Sequence, residues 1–127
     1  GLIAGNRTFN HGWCVWSFAT EYVWQEGYAA RRILLEKNEH DNWFGIYIGS
    51  QHPFGRSHLG PPLNCLLDIR GNTFRNIAPN EFAVDANAVM NCTITGNVLP
   101  PRSIVAGPTA SGVRIADNLP VPAAAGS

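Results

Sequence analysis

A short pattern of apolar and polar positions recurs along the chain and ends each time at an asparagine. It consists of an apolar residue, any residue, a second apolar residue, two spacers and the asparagine. Apolar positions two residues apart are typical of a β-strand with one buried face, so each copy predicts a strand. The copies are ILLEKN (33–38), LDIRGN (67–72), CTITGN (92–97), VRIADN (113–118) and, truncated at its front, GLIAGN (1–6).

The asparagine that ends each copy marks the point where the predicted strand must bend. Asparagine tolerates left-handed backbone conformations and hydrogen-bonds neighbouring backbone groups, and the preceding residue is glycine in three copies. The intervals between successive asparagines are irregular, at 32, 34, 25 and 21 residues, as variable loops on a fixed core would produce. We therefore predict that the copies stack and that their amides form a hydrogen-bonded ladder, with the members Asn6, Asn38, Asn72, Asn97 and Asn118.

A second apolar segment follows each of the first four asparagines at a similar distance. The segments are CVWS (14–17), IYIG (46–49), FAVD (82–85) and SIVAG (103–107), and three of them are approached by a further asparagine, Asn10, Asn42 or Asn76. Their alternation predicts a second strand in each coil. The alignment places one inward position at Cys14, Ile46, Phe82 and Ile104, and the next at Trp16, Ile48, Val84 and Ala106.

The segment NWFGIYIG (42–49) is similar to the common repeat of the parallel β-helix family, the pectate-lyase-like superfamily. The resemblance extends through all five motif copies, over about 110 of the 127 residues. It implies an all-β fold, a right-handed parallel β-helix (solenoid) of about four to five coils over residues 1–119, followed by a flexible tail over residues 120–127. It also implies a secreted or cell-surface location.

The ends of the chain shape a further expectation. The chain opens inside a repeat at Gly1 without an amphipathic helix that would cover the stack, whereas Pro120 and Pro122 cannot donate to a further sheet ladder. We expect the chain to be the C-terminal part of a longer helix, or its open N-terminal coil to pack against another chain, for example in a homo-oligomer.

Composition and charge exclude several classes of partner. With 45% hydrophobic and 14% charged residues the chain is too apolar to be disordered, and nine basic residues balance nine acidic ones. We therefore expect no nucleic-acid partner and, because no run reaches about 18 apolar residues, no membrane span. The three cysteines have unrelated spacings that fit buried thiols better than disulfides or a zinc site, and we expect no cofactor and no metal.

Two long insertions, 18–32 and 50–65, follow the second strands of the first two coils and should lie side by side. Long loops on a rigid scaffold commonly carry function, and aromatic faces can stack on sugar rings. The alternative is that the aromatic side chains fold back and cover the flank of the helix. The predicted saccharide-binding residues are Tyr22, Trp24, Tyr28, His52, Phe54, Arg56 and His58.

Candidate catalytic residues are few. Glu21 and Glu26 on one insertion can supply the two carboxylates, roughly 5 to 10 Å apart, that glycoside cleavage needs, or they are ordinary solvated acids. Glu36 and Arg70 occupy the same outward site on adjacent coils next to Asp68, where a lyase would stabilise charge, or where a surface ion pair would form.

Histidines give only a weak metal signal. His40 is placed with Asp41 in a turn, and His11 should lie near His40 on the adjacent coil, but two histidines without a third ligand type are weak evidence for a metal site.

Two functions remain open at this level. The leading hypothesis is a carbohydrate-active protein, or a fragment of one, that binds an extended polysaccharide and cleaves it if it is a lyase or glycoside hydrolase. The alternative is a noncatalytic structural or attachment module that resembles part of an adhesin or tailspike. No catalytic residue is carried over from the family, since the lyase set of calcium-binding aspartates with an arginine has no match and the motif Asp-Pro-x-Asp is absent.

Overall fold

The structure, a computed structural model, describes residues 1–21, 30–51, 64–87, 89–107 and 110–121. These residues form an all-β fold, and no helix of the described chain is long and apolar enough to cross a membrane. The strands are β1 (Leu2–Ala4), β2 (Arg7–Glu21), β3 (Arg31–Glu36), β4 (Glu39–Gln51), β5 (Asn64–Arg70), β6 (Thr73–Arg75), β7 (Val84–Ala86), β8 (Val89–Thr95), β9 (Val98–Leu99), β10 (Ile104–Ala106), β11 (Ser111–Ala116) and β12 (Leu119–Pro120).

The first sheet contains the five strands of the asparagine motif. Its order is β1-β3-β5-β8-β11, and every neighbouring pair is parallel. The register aligns equivalent motif positions, so one inward row reads Ile3, Leu35, Ile69, Ile94 and Ile115. The predicted stacking of the five copies is confirmed by this register.

The second sheet has seven parallel strands and divides at the long strand β4. One side of β4 pairs with β2, while the other side pairs first with β6 and then with β7. From there β6 leads to β9 and β12, and β7 leads to β10. The chain therefore visits the two sheets alternately, entering the second sheet directly after each ladder asparagine.

The core lies between the inward faces of these sheets. Fully buried side chains include Leu35, Ile46, Leu67, Ile69 and Phe74. Burying a side chain of this size contributes about 1.5–3 kcal/mol relative to leaving it exposed. Stacking supplies most of this burial, because each inward side chain packs against its equivalent on the neighbouring strand.

The five asparagines form the predicted ladder. In each of the first four members the side-chain amide and the backbone N–H both donate to Oδ1 of the next member, over 2.9–3.1 Å. Four members also donate from Nδ2 to a backbone carbonyl of the preceding strand, as Asn72 does to Leu35 at 2.9 Å. Each internal amide thus has its two acceptor sites and two donor sites occupied, which is what burial of a polar group requires.

The residue before each ladder asparagine has a left-handed backbone. Its φ angle is 68° at Gly5, 66° at Gly71 and 64° at Gly96, but the same conformation is held by Lys37 at 55° and Asp117 at 57°. A left-handed residue with a β-carbon costs roughly 1–2 kcal/mol. The ladder therefore imposes the turn even where the sequence does not supply glycine.

The predicted alignment of the second strands is wrong in two coils. The observed inward rows are Trp16, Ile46, Val84 and Ile104, and then Phe18, Ile48, Ala86 and Ala106. The first and third segments are shifted by two residues because β2 contains an irregularity between Asn10 and Cys14, and because a turn at Ala78–Glu81 lengthens the third coil.

The insertions are shorter than predicted. Strands β2 and β4 continue to Glu21 and Gln51, which pair with each other, so the connections begin at neighbouring strand ends. At the C-terminal side Pro120 closes β12, and residues 122–127 of the predicted tail lie outside the described residues.

Replacing an internal ladder member tests the hydrogen-bond account. We expect Asn72→Ala to lower the free energy of unfolding by about 3 kcal/mol or more, since two donors of Asn38, the Leu35 carbonyl and Asn97 Oδ1 would each lose a partner. The control Asn6→Ala at the exposed end should cost about 1 kcal/mol. Equal losses in urea unfolding would contradict the account.

Candidate functional site

Most of the predicted saccharide-binding and catalytic residues lie outside the described residues. These are Tyr22, Trp24, Glu26, Tyr28, His52, Phe54, Arg56 and His58. Glu21 is the last residue of β2 and lies opposite Gln51. That the two insertions lie side by side therefore stays a prediction. It is supported by the adjacency of Glu21 and Gln51, the strand ends from which the insertions leave.

The outward pair Glu36 and Arg70 is described. The two residues are register partners on β3 and β5, as the alignment predicted. Arg70 Nε lies 3.5 Å from Glu36 Oε2, and Arg70 Nη1 lies 3.8 Å from Asp68 Oδ2. This arrangement is a partly exposed ion pair between strands, a kind of contact that contributes about 0–1 kcal/mol.

A different cluster stands out on the outer face of the second sheet. Trp43 extends from β4 with 48% of its surface exposed, although the residues on either side of it in the strand, Asn42 and Phe44, are buried or half-buried. It lines an open cavity of about 590 Å³ together with Asn76, Ile77, Ala78 and Pro79. An exposed indole beside a cavity offers a ligand a flat apolar surface next to polar groups.

The wall of this cavity is held in place by backbone hydrogen bonds. The Ala78 N–H donates to the Trp43 carbonyl at 2.9 Å, and the Gly45 N–H donates to the Phe82 carbonyl at 2.9 Å. A β-carbon at Gly45 would overlap the Ala83 carbonyl, so glycine is needed where β4 closely approaches the residues just before β7. Residues 76–79, which follow β6, thereby form a fixed ridge next to the indole.

A second, smaller cavity of about 100 Å³ adjoins the first on the same face. Residues of three neighbouring strands line it, among them Phe9, Asp41 and Arg75. Phe9 is 81% exposed and lies opposite Asp41 in the register. Asn76 donates from Nδ2 to Asp41 Oδ1 at 2.6 Å and so joins the two cavities. We call the joined surface the Trp43 face, defined by Phe9, Asp41, Trp43, Arg75 and Asn76.

The charges on the Trp43 face largely balance. Arg7 Nε contacts Glu39 Oε2 at 2.9 Å, and Asp41 accepts the Asn76 amide. The Asp41 carboxylate of this face and the Glu39 carboxylate beside it are therefore both engaged with neighbouring side chains. The face can hydrogen-bond hydroxyl groups and stack on flat apolar surfaces, and its chemistry favours binding over bond cleavage.

Sequence reasoning missed the Trp43 face. Trp43 falls within the segment 42–49 that is similar to the β-helix repeat, but the turn predicted at His40 and Asp41 hides the strand alternation before it. His40, Asn42 and Ile46 point inward in β4, so Asp41 and Trp43 point outward. The available signal was the alternation of the strand, in which the aromatic residue Trp43 takes an outward-facing position next to the inward-facing Asn42.

His40 lies directly beneath this face. It is fully buried within β4, so the predicted turn at His40 and Asp41 is wrong. Thr8 Oγ1 donates to Asn42 Oδ1 at 2.9 Å and lies 2.7 Å from His40 Nδ1. When the hydroxyl proton is used on Asn42 Oδ1, Nδ1 of His40 donates to the hydroxyl, which corresponds to the neutral Nδ1–H tautomer.

The surroundings of His40 are apolar. Its ring centroid lies 5.1 Å from that of Phe74 and 6.5 Å from that of Trp16. Burial lowers the pKa of His40 from 6.5 to about 4. The side chain of His11 is not among those described, and no group of three metal-ligating residues occurs within the described part of the chain.

Asp85 is the described carboxyl group with a perturbed environment. It lies on the outward side of β7 opposite Tyr47, and burial raises its pKa, with a further contribution from Glu81. A raised pKa favours the protonated acid and is common at functional sites, but also occurs in structural clusters. Burial and the Asp68 charge likewise raise the pKa of the Cys92 thiol, to about 12, so this thiol is an inert core group.

Comparisons with known proteins do not extend this picture. No family model matches the chain, and neither a curated protein nor a solved structure matches it.

The buried imidazole makes stability depend on pH. Because the folded pKa of about 4 lies below the ordinary 6.5, the unfolded chain takes up a proton first, and stability should fall as pH drops from 6.5 to 4. The loss should reach about 3 kcal/mol and then level off. Urea unfolding across this range, compared with His40→Phe, measures it. The variant should lack this part of the pH dependence, and identical slopes for both chains would contradict the assignment.

Proposed function

We propose that the chain is a right-handed parallel β-helix that binds an extended saccharide along its Trp43 face. The observation that carries the proposal is the exposed indole of Trp43 beside the cavity of about 590 Å³. The ligand class is the one expected from the similarity of residues 42–49 to the β-helix repeat, whereas the binding surface is one that the sequence did not predict.

The helical fold is supported by the parallel pairing of the strands. Strands that follow one another in the first sheet are connected through strands of the second, with equivalent residues in register. Parallel strands of one sheet connected by such crossovers are right-handed in nearly all proteins. The asparagine ladder adds the inward polar row that a regular stack requires.

Saccharide binding is supported by two aromatic side chains at neighbouring positions. Phe9 lies opposite Asp41, and Trp43 follows Asp41 by two residues on the same side of β4. Strand geometry separates the two aromatic positions by about 8 Å, given a rise of about 3.3 Å per residue and about 4.8 Å between strands. Two apolar contact points at this spacing suit an extended ligand.

Polar groups next to the aromatic residues supply hydrogen bonds. Asp41 offers carboxylate oxygens, Asn76 an amide and Arg75 a guanidinium, all at the border of the two cavities. A few polar groups among apolar surfaces are the usual composition of a small-molecule site. The proposal covers binding alone, because Glu39 and Asp41 are each held by a neighbouring side chain.

A noncatalytic attachment or structural module is the alternative. The regular ladder and the fully parallel sheets favour a rigid rod, and they fit both functions equally. What separates the two is the Trp43 face, since a module that only presents a rigid rod has no need of an exposed indole next to a cavity.

Binding to an array of neutral and acidic polysaccharides tests the proposal. We expect at least one polysaccharide to bind, and Trp43→Ala to weaken it about tenfold or more, since the stacking surface is lost. The matched control is Met90→Ala, which removes a 42% exposed apolar side chain from the first sheet and should leave affinity unchanged. Retention of no polysaccharide would favour the structural module, and equal affinity of Trp43→Ala and wild type would exclude the Trp43 face.

A further inference from the structure

The asparagine ladder has a direction. At every step the member nearer the N-terminus donates two hydrogen bonds, from N and Nδ2, and the following member accepts both at Oδ1. The following member also donates from Nδ2 to a carbonyl three residues before its neighbour, as Asn38 does to Ile3 at 3.0 Å. The ladder is therefore polar, with an acceptor end and a donor end.

The two ends of the ladder are complementary. Within the described residues, Asn6 Oδ1 accepts no hydrogen bond. Asn118 Nδ2 donates one hydrogen bond, to the Ile94 carbonyl, and the backbone N–H of Asn118 donates none to a described residue. Asn6 Nδ2 turns to its own Ala4 carbonyl at 3.2 Å, whereas the other four members reach a carbonyl of the preceding strand. The two donors that Asn6 Oδ1 lacks are therefore of the same kind as the two, N and Nδ2, that Asn118 leaves available at the other end.

The apolar rows are incomplete at the same two places. In the inward row of the first sheet, Leu35, Ile69 and Ile94 are fully buried, but Ile3 is only half-buried and Ile115 is 48% exposed. Among the described strands, β1 pairs only with β3 and β11 only with β8, so each end also presents an open parallel edge. Such edges are templates for pairing with another chain.

We propose that two copies of this chain stack head to tail, with the Asn118 end of one against the Asn6 end of the other. Asn118 then donates from N and Nδ2 to Asn6 Oδ1, and Asn6 Nδ2 exchanges its local bond for the Ile115 carbonyl. Ile115 packs under Ile3 and β11 pairs with β1. Each contact repeats one already made four times inside the chain.

The other orientations fail on hydrogen bonding. Two Asn6 ends would oppose acceptor to acceptor, and two Asn118 ends would oppose donor to donor. Both would also set the strands antiparallel, without the aligned rows. Head-to-tail contact uses two different surfaces and generates an open series of copies rather than a closed dimer. The zero formal net charge adds no general repulsion.

This association is independent of saccharide binding. The contact surfaces are the two ends of the stack, whereas Phe9 and Trp43 lie on its side. Stacking would place the Trp43 faces of successive copies on one side of the series. Failure of either proposal therefore leaves the other standing.

Sedimentation velocity of the full 127-residue chain, with two end-blocked variants, tests the stacking. Ile3→Lys places a charge on one end and Ile115→Lys on the other, and circular dichroism checks that both remain folded. We expect the wild type to form a concentration-dependent series of species and each variant alone to be monomeric. In an equimolar mixture of the variants one productive contact remains. The intact Asn118 end of Ile3→Lys meets the intact Asn6 end of Ile115→Lys, and the resulting dimer cannot extend because both of its outer ends are blocked.

That single 1:1 dimer in the mixture, with nothing larger, is therefore the expected result. The control Met90→Lys changes an exposed side chain away from both ends and should behave as wild type. A wild type that is monomeric at all concentrations, or a mixture without the dimer, would overturn the proposal. NMR spectra give an independent readout: the side-chain amides of Asn6 and Asn118 should shift with concentration while that of Asn72 does not, and concentration-independent spectra would also overturn it.

Discussion

Burial of the asparagine amides is the constraint on which the rest of the structure depends. An amide inside the stack has four hydrogen-bonding sites, and the neighbouring strands satisfy them only when successive asparagines lie directly above one another. Displacing one strand by a residue would leave several buried groups unpaired and would turn its apolar side chains outward. The ladder thus fixes the register of the first sheet, and the apolar rows follow from it.

The same register places the outward residues of the second sheet. Five of its described strands, β2, β4, β6, β9 and β12, begin directly after a ladder asparagine. Phe9, Asp41 and Arg75 therefore align across three of them without any contact that selects them individually. Farther from the ladder the alignment loosens, and the third coil gains the ridge that faces Trp43. The candidate site lies where strict alignment gives way to variable loops, which is a common place for function on a rigid scaffold.

The sequence predicted the first sheet well because the asparagine motif combines two independent signals, the strand period and the bend. The second strands carry only the period, and a period of two cannot reveal the shift between Asn10 and Cys14 or the longer turn before Val84. Left-handed residues at Arg32, Leu66, Asn91 and Gly112 also share one register position, yet their side chains have nothing in common. Neighbouring strands impose that conformation, so it could not be predicted from the residues. The position of Trp43 was missed for a related reason, since the turn predicted at His40 and Asp41 lies inside the continuous strand β4.

The most direct test of the ladder is hydrogen exchange of the asparagine side-chain amides, followed by NMR. Protons that are buried and bonded on both sides exchange only when the structure opens. The account predicts strongly slowed exchange for the Nδ2 protons of Asn38, Asn72 and Asn97, with Asn6 and Asn118 exchanging faster at the ends. Exchange of all five side chains at the rate of free asparagine would contradict it.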